Sequence, residues 1–267
     1  MTTTETVDGT EIAYERYGDG QPLILLHGGM ASRQYWNPVL PHFEEYAAVV
    51  PQRPGFGTCL DDQEETSAEE VLHRETQYVR TLVNAIDGEP ILSGHSYGAL
   101  TAVESATDTV VDAVVAYEPA ALPEEYRTEA NLAERMSDLL EEGDRREAVK
   151  RYIEDVLHPD GIDDLDAWLA EWPVWPGCVE LAEEVVRMNR AVERYELPEA
   201  LDVRVPVLVM TGTEGPAFLR ESARSFHNAL PHSRLVEFDG VSHSGPSEAP
   251  KRIAAEIDSF LVSSRNE

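Results

Sequence analysis

Gly94-His95-Ser96-Tyr97-Gly98 sets one serine between two glycines. Ile91-Leu92 leads into this stretch as a short apolar run, and an alanine-rich helical pattern leaves it. The pattern fits a sharp strand-to-helix turn that holds a serine hydroxyl clear above a sheet. A turn that tight brings backbone against backbone, so side chains at 94 or 98 would clash. Tyr97 opens the helix, and its backbone N–H is one of the donors a helix start leaves unpaired. The implied chemistry is nucleophilic: a serine oxygen attacks a carbonyl carbon beside an amide able to hold the developing oxyanion. A serine hydroxyl is a weak nucleophile at neutral pH and needs a base within hydrogen-bond reach. The competing reading is a serine in an ordinary loop.

Elements able to position such a serine are legible on both sides of it. Leu23–Leu26, Ala47–Val50, Pro90–Leu92, Val110–Tyr117, Val205–Met210 and Arg234–Phe238 read as strands, most of them continuously apolar as in a sheet covered on both faces. Thr4–Val7 and Thr10–Tyr17 flank Asp8-Gly9, a hairpin signal. Between Tyr35 and Phe43, Pro38 and Pro41 make any helix short or irregular, and Ser32 is placed to cap it. Ser67-Ala68-Glu69-Glu70 is a capping box, and Val71, Leu72, Tyr78, Val79, Leu82, Val83 and Ile86 then form an apolar stripe that stops at Gly88. From Ala120 to Leu197 strand signals vanish and acidic amphipathic helices follow one another. One of them carries the stripe Val149, Tyr152, Ile153, Val156 and Leu157. Helices over Phe218–Leu230 and around Ile253–Leu261 close the chain.

Alternating strands and helices predict an α/β fold: a mostly parallel twisted sheet with helices on both faces. The expected organisation is a core made of residues 1–119 and 198–267, with a helical cap, residues 120–197, inserted in it. Chemistry in such sheets gathers at the carboxyl ends of the strands. His27, Ser96, Glu118, Glu214 and His243 all follow predicted strands.

Composition narrows the partners. Acidic residues outnumber basic ones 51 to 21, for a net charge of −30. That charge repels nucleic acid and anionic membranes, and it strains a compact chain unless salt screens it. The acids are dispersed over helices, a profile similar to that of proteins from extreme halophiles. No run of eighteen apolar residues occurs, so no membrane-spanning helix is expected. Met1-Thr2-Thr3-Thr4-Glu5 shows no basic region followed by an apolar stretch, so a cytoplasmic location is expected. Cys59 and Cys178 are too few for a disulfide framework or a zinc site, and no histidine pair has metal-ligand spacing. The expected partner is a small-molecule substrate, with no metal or organic cofactor, and the chain is expected to be a monomer or homodimer.

Over nearly its whole length the chain resembles the α/β-hydrolase superfamily. His27-Gly28-Gly29 resembles that family's oxyanion loop, Gly94-His95-Ser96-Tyr97-Gly98 its nucleophile elbow, and Gly240-Val241-Ser242-His243 the segment bearing its catalytic histidine. The section from Ala120 to Leu197 resembles its cap. The resemblance implies Ser96 as nucleophile, His243 as base, and the backbone N–H groups of Tyr97 and Gly29 or Met30 as oxyanion donors. One departure matters. The family's usual acid stands three residues after the glycine that follows Met210 and Thr211, and that place is Gly215, which has no side chain. Glu214 stands one residue early. Glu118 ends the preceding strand, where a subset of the family similar to Tyr117-Glu118-Pro119 keeps its acid. Both preserve the order serine, acid, histidine. Glu118 is preferred and Glu214 is the alternative.

The resemblance implies a serine hydrolase acting through an acyl-enzyme on a small, fairly apolar ester, thioester or lactone. Cleavage of a carbon–carbon bond in a diketone is a close variant. A ligand-binding protein that kept the fold and lost turnover is the reading from another class, supported by the missing side chain at Gly215. A pure interaction protein has only the acidic surface in its favour, and a dehalogenase would need an aspartate at position 96. At least one of Trp168, Trp172 and Trp175 is expected to line an apolar acyl pocket, against a reading of all three as cap core. His27 is expected to be structural and His95 to point away from the nucleophile's work. His42, His73, His158, His227 and His232 are expected at the surface, and Arg53 is expected to brace its loop.

Overall fold

The computed structural model describes residues 2–5, 9, 11–53, 67–127, 131–172 and 174–265. Asp8, part of the predicted hairpin turn, lies outside them, as do Cys59 and residues 54–57. Eight strands are described: β1 (Thr2–Glu5), β2 (Glu11–Tyr17), β3 (Gln21–Leu26), β4 (Tyr46–Pro51), β5 (Ile91–His95), β6 (Ala113–Tyr117), β7 (Val207–Gly212) and β8 (Ser233–Phe238). They form one sheet in the order β1-β2-β4-β3-β5-β6-β7-β8. β1 pairs antiparallel with β2 and β2 antiparallel with β4, while all other pairings are parallel.

Period-two alternation within continuous apolar strands feeds two cores, one on each face. Leu23 and Leu25 face one core with Val115, Leu208 and Met210; Ile24 and Leu26 face the other with Val114, Ala116 and Val209. The second face is covered by α1 (Ala68–Ala85), α2 (Tyr97–Ser105) and α9 (Ala217–Ala229). The first is covered by α11 (Pro250–Ser264) and by Trp36, Val39 and Phe43. α1 opens on the capping box: Glu70 N–H donates to Ser67 Oγ at 3.3 Å, and Ser67 N–H donates to Glu70 Oε2 at 2.8 Å. The segment around Pro38 and Pro41 forms two short 3-10 turns, Arg33–Trp36 and Leu40–His42. Ser32 precedes the first, but its hydroxyl bonds Gln34 instead of a helix N–H.

Among the described residues six α-helices are inserted between β6 and β7: α3 (Glu124–Arg127), α4 (Leu132–Glu141), α5 (Arg145–Tyr152), α6 (Leu165–Glu171), α7 (Trp175–Val179) and α8 (Ala182–Arg194). They form a cap whose apolar stripes, including Met136, Val149, Val185 and Met188, join the core on the α1–α2 side. The stripe from Val149 to Leu157 is not one helix. α5 ends at Tyr152, and a π-helical turn spans Ile153–Leu157, closed by His158 N–H donating to Ile153 O at 2.9 Å. A π turn inserts a residue and rotates the downstream side chains relative to an α-helical repeat. A short helix, α10 (Gly245–Glu248), comes after the His243 loop. Among the described residues no helix is long and apolar enough to cross a membrane.

Candidate active site

Ser96 sits between the last residue of β5 and the first of α2, with φ +55° and ψ −123°. That backbone region costs a non-glycine residue on the order of 1–3 kcal/mol, so the surroundings must hold it. They do so by hydrogen bonds: Ser96 N–H donates to Tyr117 O at 2.9 Å, and Ser96 O accepts from Ala99 N–H at 2.9 Å and Ala120 N–H at 3.2 Å. The glycines on either side answer to close approach. A Cβ at Gly94 would stand 2.2 Å from Gly98 O, and one at Gly98 would stand 2.3 Å from Leu26 O. The elbow is thereby pressed onto the end of β3.

Three non-glycine residues among those described have positive φ: Met30 at +54°, Ser96 at +55° and Glu118 at +45°. They come after β3, β5 and β6, three adjacent strands of the sheet. Strained backbone of this kind clusters at active sites, which makes this edge the candidate site. The loop after β3 passes directly beside the serine, since a Cβ at Gly28 would stand 2.9 Å from Ser96 Cβ. Arg53 braces it from below, donating from Nη1 to His27 O at 2.6 Å, pairing with Glu75 at 3.1 Å and lying over the Tyr97 ring. His27 is buried and its Nδ1 lies 2.9 Å from Gly28 O. Burial, then the Arg53 charge, push its pKa down to about 3, so it stays neutral. From the cap, Cys178 Sγ reaches Met30 O at 3.5 Å.

Glu118 and His243 meet at the same edge. His243 Nδ1 lies 2.5 Å from Glu118 Oε2, and the carboxylate is fully buried. Its other oxygen accepts from Thr211 Oγ1 at 2.7 Å and from Gly212 N–H at 3.2 Å. Burial alone would raise the Glu118 pKa, but the bond to His243, its charge, and the Thr211 and Gly212 donors hold it below the usual carboxylate value. The glycine at 215 makes room for this arrangement: a Cβ there would stand 2.7 Å from Glu118 Oε1. Positions 118 and 215 therefore converge on one volume, and only one of them carries a side chain. Glu214 is exposed, with Thr213 Oγ1 donating to its carboxylate at 3.1 Å. Close backbone contact brings the His243 loop to the end of β7, since a Cβ at Gly212 would stand 2.0 Å from Val241 O. His95 is buried between Tyr35 and His243, ring centroids 4.5 Å from each, and its Nε2 donates to His243 O at 2.8 Å. Among the described residues no hydrogen bond joins Ser96 Oγ to His243, whose Nδ1 is engaged by Glu118. Nucleophile–base bonds are often long until substrate binds.

A cavity of about 190 Å³ opens over Ser96 between core and cap. Its apolar wall comes from residues such as Leu122, Leu132, Val156, Met188, Val192 and Leu219, and its polar part from Asn131, Arg135, Asp155, Asn189 and Glu193. None of the three tryptophans, at least one of them expected at a pocket, lines this cavity. Trp168 and Trp172 pack on each other at 5.1 Å, with His158 edge-on to Trp168, and Trp175 is buried beneath the Arg146 guanidinium. Ring–ring and cation–π contacts within the cap engage all three. His158 and His227 are half-buried, against the surface position expected for them; His227 Nδ1 lies 2.8 Å from Ser233 Oγ. Thr211, Tyr152 and the polar cavity residues carry no motif, so spacing along the chain did not point to them. No three His, Cys, Asp or Glu among the described residues gather as metal ligands would.

Residues 23–256 match the model of the alpha/beta hydrolase family. The chain belongs to that family. Over 266 residues this hydrolase is 24% identical to (E)-2-((N-methylformamido)methylene)succinate hydrolase of Acinetobacter baylyi, covering 93% of each chain. It is 29% identical to a pimeloyl-[acyl-carrier protein] methyl ester esterase of Legionella pneumophila over 99 residues, 36% of each. Among solved structures, an alpha/beta hydrolase of Sphaerobacter thermophilus aligns with a TM-score of 0.83 and 25% identity, over 97% of this chain and 100% of that one. The enol-lactonase of Burkholderia xenovorans shares the fold, with a TM-score of 0.76 and 19% identity over 98% of this chain and 100% of that one. The α/β-hydrolase is thus of the hydrolase and esterase type, with a mostly parallel sheet and a helical cap.

Proposed function

We propose that the protein is a serine hydrolase that cleaves a small, fairly apolar ester, thioester or lactone through an acyl-enzyme, with Ser96, His243 and Glu118 as its triad. The observation that carries this reading is the 2.5 Å contact between Glu118 Oε2 and His243 Nδ1 beside a serine held at φ +55°. Glu118 holds the Nδ1–H tautomer and stabilises the imidazolium, which leaves Nε2 to take the Ser96 proton. The serine oxygen attacks the carbonyl carbon, and the carbonyl oxygen becomes an oxyanion. The first N–H of α2, on Tyr97, and the N–H of Gly29 or Met30 receive it. His243 then returns the proton to the leaving alcohol or thiol, and the acyl-enzyme forms. A water gives its proton to the same nitrogen and attacks the acyl carbon; as the acid leaves, His243 returns that proton to Ser96 Oγ.

The cavity supports the substrate class. At about 190 Å³, with aliphatic and aromatic side chains making up most of its wall beside a polar part, it suits a short acyl group better than a long chain. A series of p-nitrophenyl esters from acetate to dodecanoate tests the reading. The expected outcome is turnover of the short esters that falls by at least about 10³-fold in Ser96→Ala. Folded protein that hydrolyses no ester of the series, or a Ser96→Ala variant as active as the wild type, would contradict it.

A further inference from the structure

Tyr152 ends α5 and lines the cavity together with Ser96 and Tyr97. It is 3% exposed, yet none of the hydrogen bonds among the described residues involves its hydroxyl. Burial alone raises its pKa above the ordinary phenol value, with neither a hydrogen bond nor a charged neighbour contributing, so it is a neutral donor across the working pH range. Its hydroxyl lies over the loop after β3: a methyl at Gly29 would stand 3.0 Å from Tyr152 Oη. The π-helical turn begins at the next residue and carries Asp155 and Val156 into the same cavity. Such turns favour functional sites, and a phenol hydroxyl that bonds no described protein group at a cavity wall is placed to donate to a bound ligand.

We infer that Tyr152 Oη is a third donor to the oxyanion, contributed by the cap and facing the backbone N–H groups of Tyr97 and Gly29. This rests on the serine-hydrolase reading and extends it. The carbonyl oxygen of the bound ester is held from two sides, by amides of the core and by a phenol of the cap. Core without cap is then an incomplete catalyst. The loop itself is tied to the cap by Cys178 Sγ on Met30 O and by Met188 against Gly29, so cap and oxyanion donors are positioned as a unit.

Tyr152→Phe removes the hydroxyl and leaves the ring. With p-nitrophenyl butyrate, and with rates normalised to the fraction of protein labelled by a fluorophosphonate, kcat is expected to fall about 10- to 100-fold while KM stays within about twofold. An alkyl boronic acid, which forms a tetrahedral adduct on the serine, is expected to bind more weakly by a similar factor. The melting temperature should not fall, because no protein hydrogen bond is lost. A normalised kcat within about twofold of wild type, or a rise in KM alone, would overturn the assignment while the wild type remains an esterase. A wild type that neither hydrolyses the ester nor takes the label would instead bring down the serine-hydrolase reading and this inference with it.

Discussion

At the scale of single residues, the arrangement turns on which carboxylate serves His243. Glu118 is buried against it, and Glu214 is exposed and bonded to Thr213. Glu118→Gln should lower kcat by about 10²–10⁴-fold, because the amide favours the wrong imidazole tautomer. Glu214→Gln should stay within about twofold of wild type. The reverse pattern in steady-state rates would move the acid to Glu214. Two other histidines bear on stability. His27 is pushed down to about 3, chiefly by burial, and His95 is held well below the ordinary value by burial and then by the neighbouring His243. Both stay neutral in the folded protein but take up protons in the unfolded chain below about pH 6.5. Their contribution is therefore complete above that pH and is lost as pH falls toward the folded values. For His27 the loss by pH 5 amounts to about 2 kcal/mol. Melting temperatures at constant salt should fall between pH 7 and 5, with a shallower slope in His27→Gln; a flat wild-type profile would contradict this. The tight turn at Ser96 was legible because its glycines answer to local sterics. Thr211, which orients Glu118, was not, since a threonine near a strand end has many uses and only the fold brings it to the carboxylate.

At the scale of elements, the strands were readable because their alternation feeds two separate cores, Leu23 and Leu25 to one and Ile24 and Leu26 to the other. The irregular stretch between Tyr35 and Phe43 followed from its prolines, which reduce it to 3-10 turns. The cap was harder to read. Its stripes show that helices form but not which face each turns to the serine. The π turn after Tyr152 breaks a stripe that reads as continuous, and Trp168, Trp172 and Trp175 satisfy one another or Arg146 away from the cavity. Hydrophobic spacing fixes burial, whereas pocket lining depends on how helices cross. The β6 and β7 ends show the same limit from the other side. Gly215 reads as a missing acid, yet its bareness is what admits Glu118. Gly215→Ala should displace that carboxylate, because the new methyl would stand 2.7 Å from Glu118 Oε1. The expected result is at least about a tenfold loss in kcat/KM with the fold retained, as one misplaced catalytic group costs that much or more. Unchanged kcat/KM would show that the two positions do not compete for one volume.

At the scale of the whole molecule, the net charge of −30 must be accommodated by one folded chain. Ion pairs between elements, such as Arg224 with Glu237 at 2.8 Å and Arg234 with Glu256 at 2.5 Å, engage arginines that the acids far outnumber. Exposed pairs of this kind contribute at most about 1 kcal/mol each, so they do not offset the remaining repulsion. We therefore propose that the protein is adapted to high salt, and the melting temperature should rise as KCl goes from dilute to molar. Equal stability in both would contradict that. The same salt is the condition for the most direct test of the central claim, that Ser96 is the nucleophile of an assembled triad. Folded protein in molar KCl is treated with a fluorophosphonate and monitored by intact mass and peptide mapping. One adduct per chain is expected, located on Ser96 and formed much more slowly in His243→Ala. No adduct on folded protein, or an adduct on any other residue, would contradict it.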